Sequence, residues 1–254
     1  MKKLDIGVLI SETGSNMKAI VKACEKGEIS GEVVFVGSDN PEAKGLVWAK
    51  GKGIPTFAVD YKKIKKELSD VEVPHAKMIH SALKKTLFLR EKFPGDMKKK
   101  LKYLHWKITA EHKLLMRISN RKLDLLILAG FMQNLTSHFI DAVNTKPDKP
   151  RIMNIHPALL PSFRGENGYE DTFSYGCKVG GCTVHFVDYG EDTGPIIGQE
   201  SFPIYPSDNL EDVKKKGLNL EWQLYPRCIQ LFAENRLKVV ASASGRKIVK
   251  IKER

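Results

Sequence analysis

Short apolar runs closed by glycine- or proline-bearing turns alternate along this chain with stretches whose apolar positions recur every three or four residues. Leu4–Ile10 is a buried-type strand, Ser11–Asn16 a polar turn holding Gly14, and Met17–Lys26 a helix with apolar residues at Met17, Ile20, Val21 and Cys24. Val33–Gly37 and Pro55–Val59 read as the next strands, with a helix over Glu42–Lys52 between them. A β-α-β-α-β order predicts a parallel sheet with right-handed crossovers. Leu123–Ala129 is the most hydrophobic run, expected as a central strand buried on both faces. Further strands are predicted at Arg151–His156, stopped by Pro157, at Gly180–Asp188 and at Ile196–Ile204. A long amphipathic helix follows over Asn209–Asn235, and Leu237–Ala241 with Lys247–Ile251 could pair as a terminal hairpin. The predicted class is α/β, Rossmann-like, a mostly parallel twisted sheet flanked by helices.

Between Tyr61 and Lys122 the pattern changes. Met97, Leu101, Leu104, Ile108, Leu115 and Ile118 keep to one helical stripe, with Lys98, Lys99, Lys100, Lys102, Lys107 and Lys113 expected largely off it. Met78, Ile79, Ala82, Leu83 and Leu87 form a second stripe, and Pro94-Gly95 separates the two as a helical pair. This segment holds 18 Lys/Arg against 6 Asp/Glu, a net +12, whereas the remaining 24 and 24 cancel. The basicity therefore belongs to one lysine-rich helical insertion (61–122) within a single domain (1–254). A solvated lysine face is the expected account. No nucleic-acid motif accompanies it, and no nucleic-acid partner is expected. Its histidines, His75, His80, His105 and His112, lack the spacing of three or four that a helical metal pair needs.

Other classes are narrowed by composition. With 254 residues and 42% hydrophobic content the chain can bury a sizeable core. No apolar run approaches the roughly 18–20 residues that span a bilayer. The amino-terminal run is too short for a secretory signal, so no membrane partner and a cytoplasmic location are expected. Cys24, Cys177, Cys182 and Cys228 make neither a disulfide framework nor a zinc spacing, so no metal is expected. A homodimer is left open.

Candidate chemistry begins at Asn154-Ile-His156. Residues two apart on a strand point to the same side, so an amide and an imidazole project together from a strand end. Alone, the pair reads first as side chains satisfying loop backbone; downstream segments reverse that. Gly14, Ser15 and Asn16 lie where a helix N-terminus favours an anion, although an ordinary helix cap explains them equally well. No G-x-G-x-x-G or G-x-x-x-x-G-K-[ST] occurs. Gly130-Phe-Met-Gln-Asn-Leu135 leaves the carboxyl end of the central strand, where α/β sheets place ligands. Phe131, Met132 and Leu135 could line a pocket there or staple the next helix.

Gly14-Ser-Asn16, Asn154-Ile-His-Pro-Ala-Leu-Leu-Pro161 and Thr183-Val-His-Phe-Val-Asp-Tyr-Gly-Glu-Asp-Thr-Gly-Pro-Ile-Ile197 together resemble the phosphoribosylglycinamide formyltransferases of purine biosynthesis. Gly130-Phe131-Met132 and Glu221-Trp-Gln-Leu-Tyr-Pro226 add to the likeness, which covers roughly residues 4–60 and 123–240. The resemblance implies a formyltransferase fold and transfer of a formyl group from 10-formyltetrahydrofolate to the amine of 5-phosphoribosylglycinamide, without a metal. It makes Asn154, His156 and Asp192 the catalytic set. Gly14, Ser15 and Asn16 would hold the substrate phosphate, and Glu221, with Leu218, Asn219 and Leu220 beside it, would contact the ribonucleotide. Met132, Gln133, Asn134 and Leu135, Asn154, and the turn Asp188, Tyr189, Gly190, Glu191 and Asp192 would hold the folate. Asp192 would raise the His156 pKa, so that Asn154 and a protonated His156 donate to the oxyanion.

Departures from the family pattern are also present. Ser162–Asp171 carries no histidine where the family has Pro-Gly-x-His-x-His, Gln133 stands where arginine is frequent, and Glu12-Thr13 replace Gly-Asn. A formyltransferase for another amine, on a sugar nucleotide or a charged tRNA, and a 10-formyltetrahydrofolate hydrolase are the alternatives.

Overall fold

The computed structural model describes residues 3–74, 77–146 and 149–253; His75 of the lysine-rich segment lies outside them, as do Met1 and Lys2. The chain runs β1 (Leu4–Ile10), α1 (Ser15–Glu25), β2 (Gly31–Ser38), α2 (Lys44–Gly51) and β3 (Thr56–Ala58). Four helices follow, α3 (Tyr61–Glu67), α4 (Lys77–Lys85), α5 (Phe88–Lys92) and α6 (Met97–Ser119). Then come β4 (Leu125–Leu128), α7 (Ser137–Val143), β5 (Ile152–His156), α8 (Gly168–Ser174), β6 (Val179–Phe186), β7 (Ile196–Pro203), α9 (Leu210–Ala233) and the hairpin β8 (Leu237–Ala241) and β9 (Lys247–Ile251).

The seven-stranded sheet has the order β3-β2-β1-β4-β5-β6-β7. Its first five strands are parallel, β6 pairs antiparallel with β5, and β7 pairs antiparallel with β6. After building outward to β3, the chain crosses back to lay β4 on the other side of β1. That reversal opens a crevice beyond the carboxyl ends of β1 and β4. The loops meeting there are fastened to each other. The Ser11 amide donates to the Gly130 carbonyl at 3.0 Å, and the Met132 amide donates to Ser11 Oγ at 2.9 Å.

Strand alternation sorts the core. Ile6, Val8, Ile10, Leu125 and Ile127 face α1 and α9, whereas Leu9, Leu126 and Leu128 pack with Ala110, Leu114 and Ile118 of α6 and Phe139 of α7. All four residues of β4 are buried, as its unbroken apolar run requires, each worth about 1.5–3 kcal/mol. Tyr225 of α9 is fully buried, its hydroxyl 3.0 Å from the Leu128 carbonyl and 2.9 Å from that of Met153, so it ties the neighbouring strands β4 and β5 to α9.

The lysine-rich segment departs from its sequence pattern. Pro94-Gly95 does separate two helical stretches, but the buried face of α6 is rotated from the expected stripe. Lys107 and Glu111 are fully buried and Met97 is 54% exposed. The reason is that the second half of α6 covers the sheet, while Leu104 and Ile108 close a smaller core with Ile79, Ala82, Phe88 and Leu89.

Candidate active site

One cavity of about 870 Å³ occupies the crevice. On the β1 side, Gly14 takes a left-handed conformation (φ 65°), which only glycine adopts without strain, and turns the chain into α1. Ser15 and Asn16 of the first helical turn then line the cavity. Asn16 Nδ2 donates to Glu221 Oε2 of α9 at 2.6 Å, and the Tyr169 hydroxyl donates to Glu221 Oε1 at 2.6 Å. Burial raises the Glu221 carboxyl above its ordinary value, against the pull of these two donors. Asn16 Oδ1 is buried without a partner, an acceptor left over beside the cavity.

Gly217 lies one turn before Glu221, and a Cβ there would come within 2.1 Å of the Tyr169 ring. Gly217→Ala is therefore expected to cost about 1–3 kcal/mol in urea unfolding, through overpacking, and to weaken substrate binding by displacing Tyr169 from Glu221. Unchanged stability together with unchanged KM would show that Tyr169 does not position Glu221.

On the β5 side the sequence-derived set converges. His156 Nδ1 lies 3.2 Å from Asp192 Oδ2, and Asn154 Nδ2 lies 3.5 Å from Asp192 Oδ1. His156 Nε2 donates to the Phe163 carbonyl at 2.7 Å, and the Gly165 amide donates to Asp192 Oδ2 at 3.1 Å. Phe163 and Asp192 both hold left-handed backbones (φ 51°), which aim the Phe163 carbonyl and the Asp192 carboxylate at one ring. Burial raises the Asp192 carboxyl, but His185, His156 and the Gly165 amide outweigh it and hold it below the usual carboxylate range.

His156 requires a correction. Both its ring nitrogens face acceptors, a demand that only the imidazolium meets in full. Asp192 does pull its pKa upward as expected, yet burial is the larger influence and leaves it below the ordinary histidine value. The free site thus opposes the charge that its hydrogen-bond partners favour.

The sequence did not single out His185. Antiparallel register sets it opposite Asn154; its Nδ1 donates to the Phe186 carbonyl at 2.9 Å, leaving Nε2 3.4 Å from Asn154 Nδ2 and 3.5 Å from Asp192 Oδ1. The available signal was its place one strand alternation beyond Thr183. Tyr169 carried no local signal, since its partner Glu221 is 52 residues away.

Met132, Gln133, Asn134, Glu191 and Leu218 also line the cavity. Other named residues do not. Leu135 is buried in the core, Leu220 packs beside two core clusters, and Asn219 is exposed on α9. Asp188 accepts from the Gly190 amide at 3.1 Å and from Thr193 Oγ1 at 2.5 Å, which shapes the turn, and the Tyr189 hydroxyl donates to Asp141 at 2.5 Å.

The remaining wall comes from the lysine-rich segment. Tyr61, Lys62, Lys65, Lys92, Tyr103 and Trp106 are among its contributions, so the segment is more than a solvated face. Several hydrogen bonds tie it in. The Leu87 amide donates to the Tyr189 carbonyl at 2.8 Å. Lys107 Nζ donates to Gln133 Oε1 at 2.7 Å, and Gln133 Nε2 donates to Asp39 Oδ2 at 2.7 Å. One turn further along α6, Glu111 accepts from the Thr136 amide at 2.8 Å and from the Thr136 hydroxyl. Among the described residues no cluster of His, Cys, Asp or Glu is arranged to hold a metal ion.

A formyl transferase family model matches residues 4–229. Phosphoribosylglycinamide formyltransferase of Haemophilus influenzae is 32% identical, over 94% of this chain and 91% of its own length. The trifunctional purine biosynthetic protein adenosine-3 of Gallus gallus is 31% identical over 93% of this chain, which spans 19% of that longer protein. Among solved structures, glycinamide ribonucleotide transformylase 1 of Symbiobacterium toebii is 33% identical with a TM-score of 0.74, covering 99% of this chain and 95% of that one. With a switch-point crevice carrying Asn154, His156 and Asp192 opposite a helix N-terminus, and with likeness running nearly end to end, this chain belongs to the formyl transferase family, in its phosphoribosylglycinamide formyltransferase branch.

Proposed function

We propose that this protein transfers the formyl group of 10-formyltetrahydrofolate to the amine of 5-phosphoribosylglycinamide, as a single formyltransferase domain (1–254) bearing the lysine-rich insertion 61–122. The observation that carries the proposal is the convergence of Asn154, His156 and Asp192 in the same cavity as Asn16 and Glu221. The cavity is of ligand size, with Phe131, Met132, Tyr103 and Trp106 offering apolar contact to a flat ring. Small molecules are the expected partners, and the cytoplasm is the expected setting.

The first turn of α1 receives the substrate phosphate on its backbone amides and the Ser15 hydroxyl, with Ser15 and Asn16 at the cavity wall. Glu221 faces the ribonucleotide. The amine attacks the formyl carbon, a C–N bond forms and the carbonyl oxygen becomes an oxyanion. Asn154 Nδ2 and His156 Nε2–H donate to that oxygen, the histidine exchanging its Phe163 carbonyl for the developing charge. That negative charge favours the imidazolium which burial otherwise resists. Asp192 balances the ring and relays the proton that leaves the amine to the departing nitrogen of the folate. The formyl C–N bond to the folate then breaks, with no net change in protons.

Formyl transfer is expected only when the amine substrate is present. Folate consumption measured with and without 5-phosphoribosylglycinamide tests this, and equal rates in both arms would favour hydrolysis of 10-formyltetrahydrofolate. Transfer to a sugar nucleotide amine or a charged tRNA, but not to the ribonucleotide, would reassign the substrate.

A further inference from the structure

The crevice cavity lies beyond the carboxyl ends of the parallel strands. A second cavity, of about 560 Å³, lies at their amino ends and shares no lining residue with the first. Leu4, Asp124 and Arg151, at or just before the starts of β1, β4 and β5, form one wall. The end of α9 and the hairpin β8–β9 form the other. Formyl transfer, as set out above, makes no use of this space. Its floor is apolar. Phe186 and Phe232 meet there with ring centres 6.4 Å apart and planes at 61°, and Leu237 and Val239 of β8 pack against the same core.

The rim is basic. Lys3, Lys149, Arg151, Lys238 and Lys252 line it, and Asp124, which accepts from the Asp5 amide at 3.1 Å, is the single carboxylate among the described lining residues. None of the five cations pairs with a carboxylate among the described residues, whereas Arg236 just outside pairs with Glu234 at 3.0 Å. Arg151 is half-buried and rigidly held. Its Nε and Nη2 donate to the Val143 carbonyl at 3.2 and 2.6 Å, and its Nη1 donates to the Leu123 carbonyl at 2.9 Å. One N–H on each of Nη1 and Nη2 is left over. Charges outside residues 61–122 cancel over the chain but not here, since residues 236–252 hold six Lys/Arg and no Asp/Glu. Antiparallel register even sets Lys238 directly opposite Lys250, a like-charge pairing that destabilises a hairpin.

The geometry points to a second ligand site between the hairpin and the amino ends of the sheet, one that takes a mononucleotide. The cavity has the size of a small-molecule site, with an apolar floor and a few convergent polar groups. A flat base covers the edges of Phe186 and Phe232, removing apolar surface from water. The phosphate meets the two remaining Arg151 N–H groups, a fork suited to phosphate oxygens, and the surrounding lysines supply the rest of its counter-charge. Neither half of such a ligand suffices alone. An uncharged ring leaves the basic rim unmatched, and a bare phosphate leaves the floor wet. The site is independent of the chemistry assigned to the crevice.

Calorimetric titration of the protein with AMP, adenosine and inorganic phosphate tests the inference without requiring turnover. AMP is expected to bind with a Kd of about 100 μM, and adenosine and phosphate at least about 10-fold more weakly. A variant combining Lys149→Gln, Lys238→Gln and Lys252→Gln should lose about 10-fold in AMP affinity, because each exposed ion pair contributes a few-fold at most. All three side chains are exposed, so the urea unfolding midpoint of the variant should match that of the unaltered protein. A crystal grown with AMP should show the base over Phe186 and Phe232 and the phosphate at Arg151. No binding of AMP at millimolar concentration would overturn the inference, as would phosphate binding as tightly as AMP. So would AMP affinity that survives the three substitutions, with the nucleotide found in the crevice instead. A short RNA that binds far more tightly than AMP, and whose affinity falls in the variant, would show that the basic hairpin serves a polyanion rather than a mononucleotide.

Discussion

Replacing His156 by alanine lowers kcat for formyl transfer by about 100–1000-fold, the usual cost of losing one oxyanion donor in an enclosed site. The donor at stake is Nε2–H, which in the free site is given to the Phe163 carbonyl at 2.7 Å. Asp192→Asn is expected to reduce kcat severely too, because the side chain 3.2 Å from His156 Nδ1 then carries no charge to balance an imidazolium. Asp192 keeps other neighbours, the Gly165 amide and His185, so His156→Ala should leave the fold and folate affinity largely intact. Saturating kinetics for both substrates, with folate affinity measured separately, distinguish a chemical loss from a binding loss. Near-full kcat in either variant would remove that residue from the proposed chemistry.

The second large effect is expected at Lys107. This ammonium group is fully buried on α6 and hydrogen-bonded to Gln133, with Asp39 beyond it and Glu111 one turn along. Lys107→Met leaves Glu111 buried without its nearest compensating charge, and breaking a buried pair from one side costs about 3–5 kcal/mol. The pH dependence has a definite sign. Burial raises the Glu111 pKa above its ordinary value of 4.5, and Lys107 is the largest influence holding it down. Removing Lys107 raises it further, so the folded state binds a proton that the unfolded state has released. Stability of Lys107→Met is then retained at low pH and lost as pH rises above about 4.5 and through the folded value. Urea unfolding at about pH 5.5 and about pH 8 measures this, and the deficit should be larger at the higher pH. Adding Glu111→Gln to Lys107→Met should recover much of the loss at high pH, since the amide oxygen still accepts from Thr136. A deficit independent of pH would show that packing, not charge, is what Lys107 supplies.

Because Gln133 lines the cavity and also joins Lys107 to Asp39, Lys107→Met should additionally loosen the segment proposed to face the folate. A raised KM for the folate with little change in kcat is the kinetic sign of that positioning role.

Much of this arrangement is written in local pattern. The Leu123–Ala129 run contains the buried β4, the Asn154/His156 spacing puts both side chains on one face of β5, and Asn209 with Asp212 caps α9 in a reciprocal capping box close to the predicted start. Periodicity and turn chemistry act over a few residues, so a single stretch of sequence suffices to read them. The charge imbalance of residues 61–122 is equally plain from composition.

Pairings between distant residues were not legible in the same way. Asn16 meets Glu221 across 205 residues, and Tyr169 joins them only because Gly217 leaves room for its ring. His185 reaches Asn154 through antiparallel register, which no local feature of either strand specifies. Lys107 looks like one more surface lysine until α6 is laid on the sheet, and His156 looks readily protonated until its burial is known. The sequence by itself determined most of the elements, though not α3 or α5, the strand carrying Asn154 and His156, and the family. Tertiary structure alone decided which charges are buried, which lysines wall the cavity and which pKa influence prevails. Desolvation and long-range contact depend on the whole packed chain, and no local pattern encodes them.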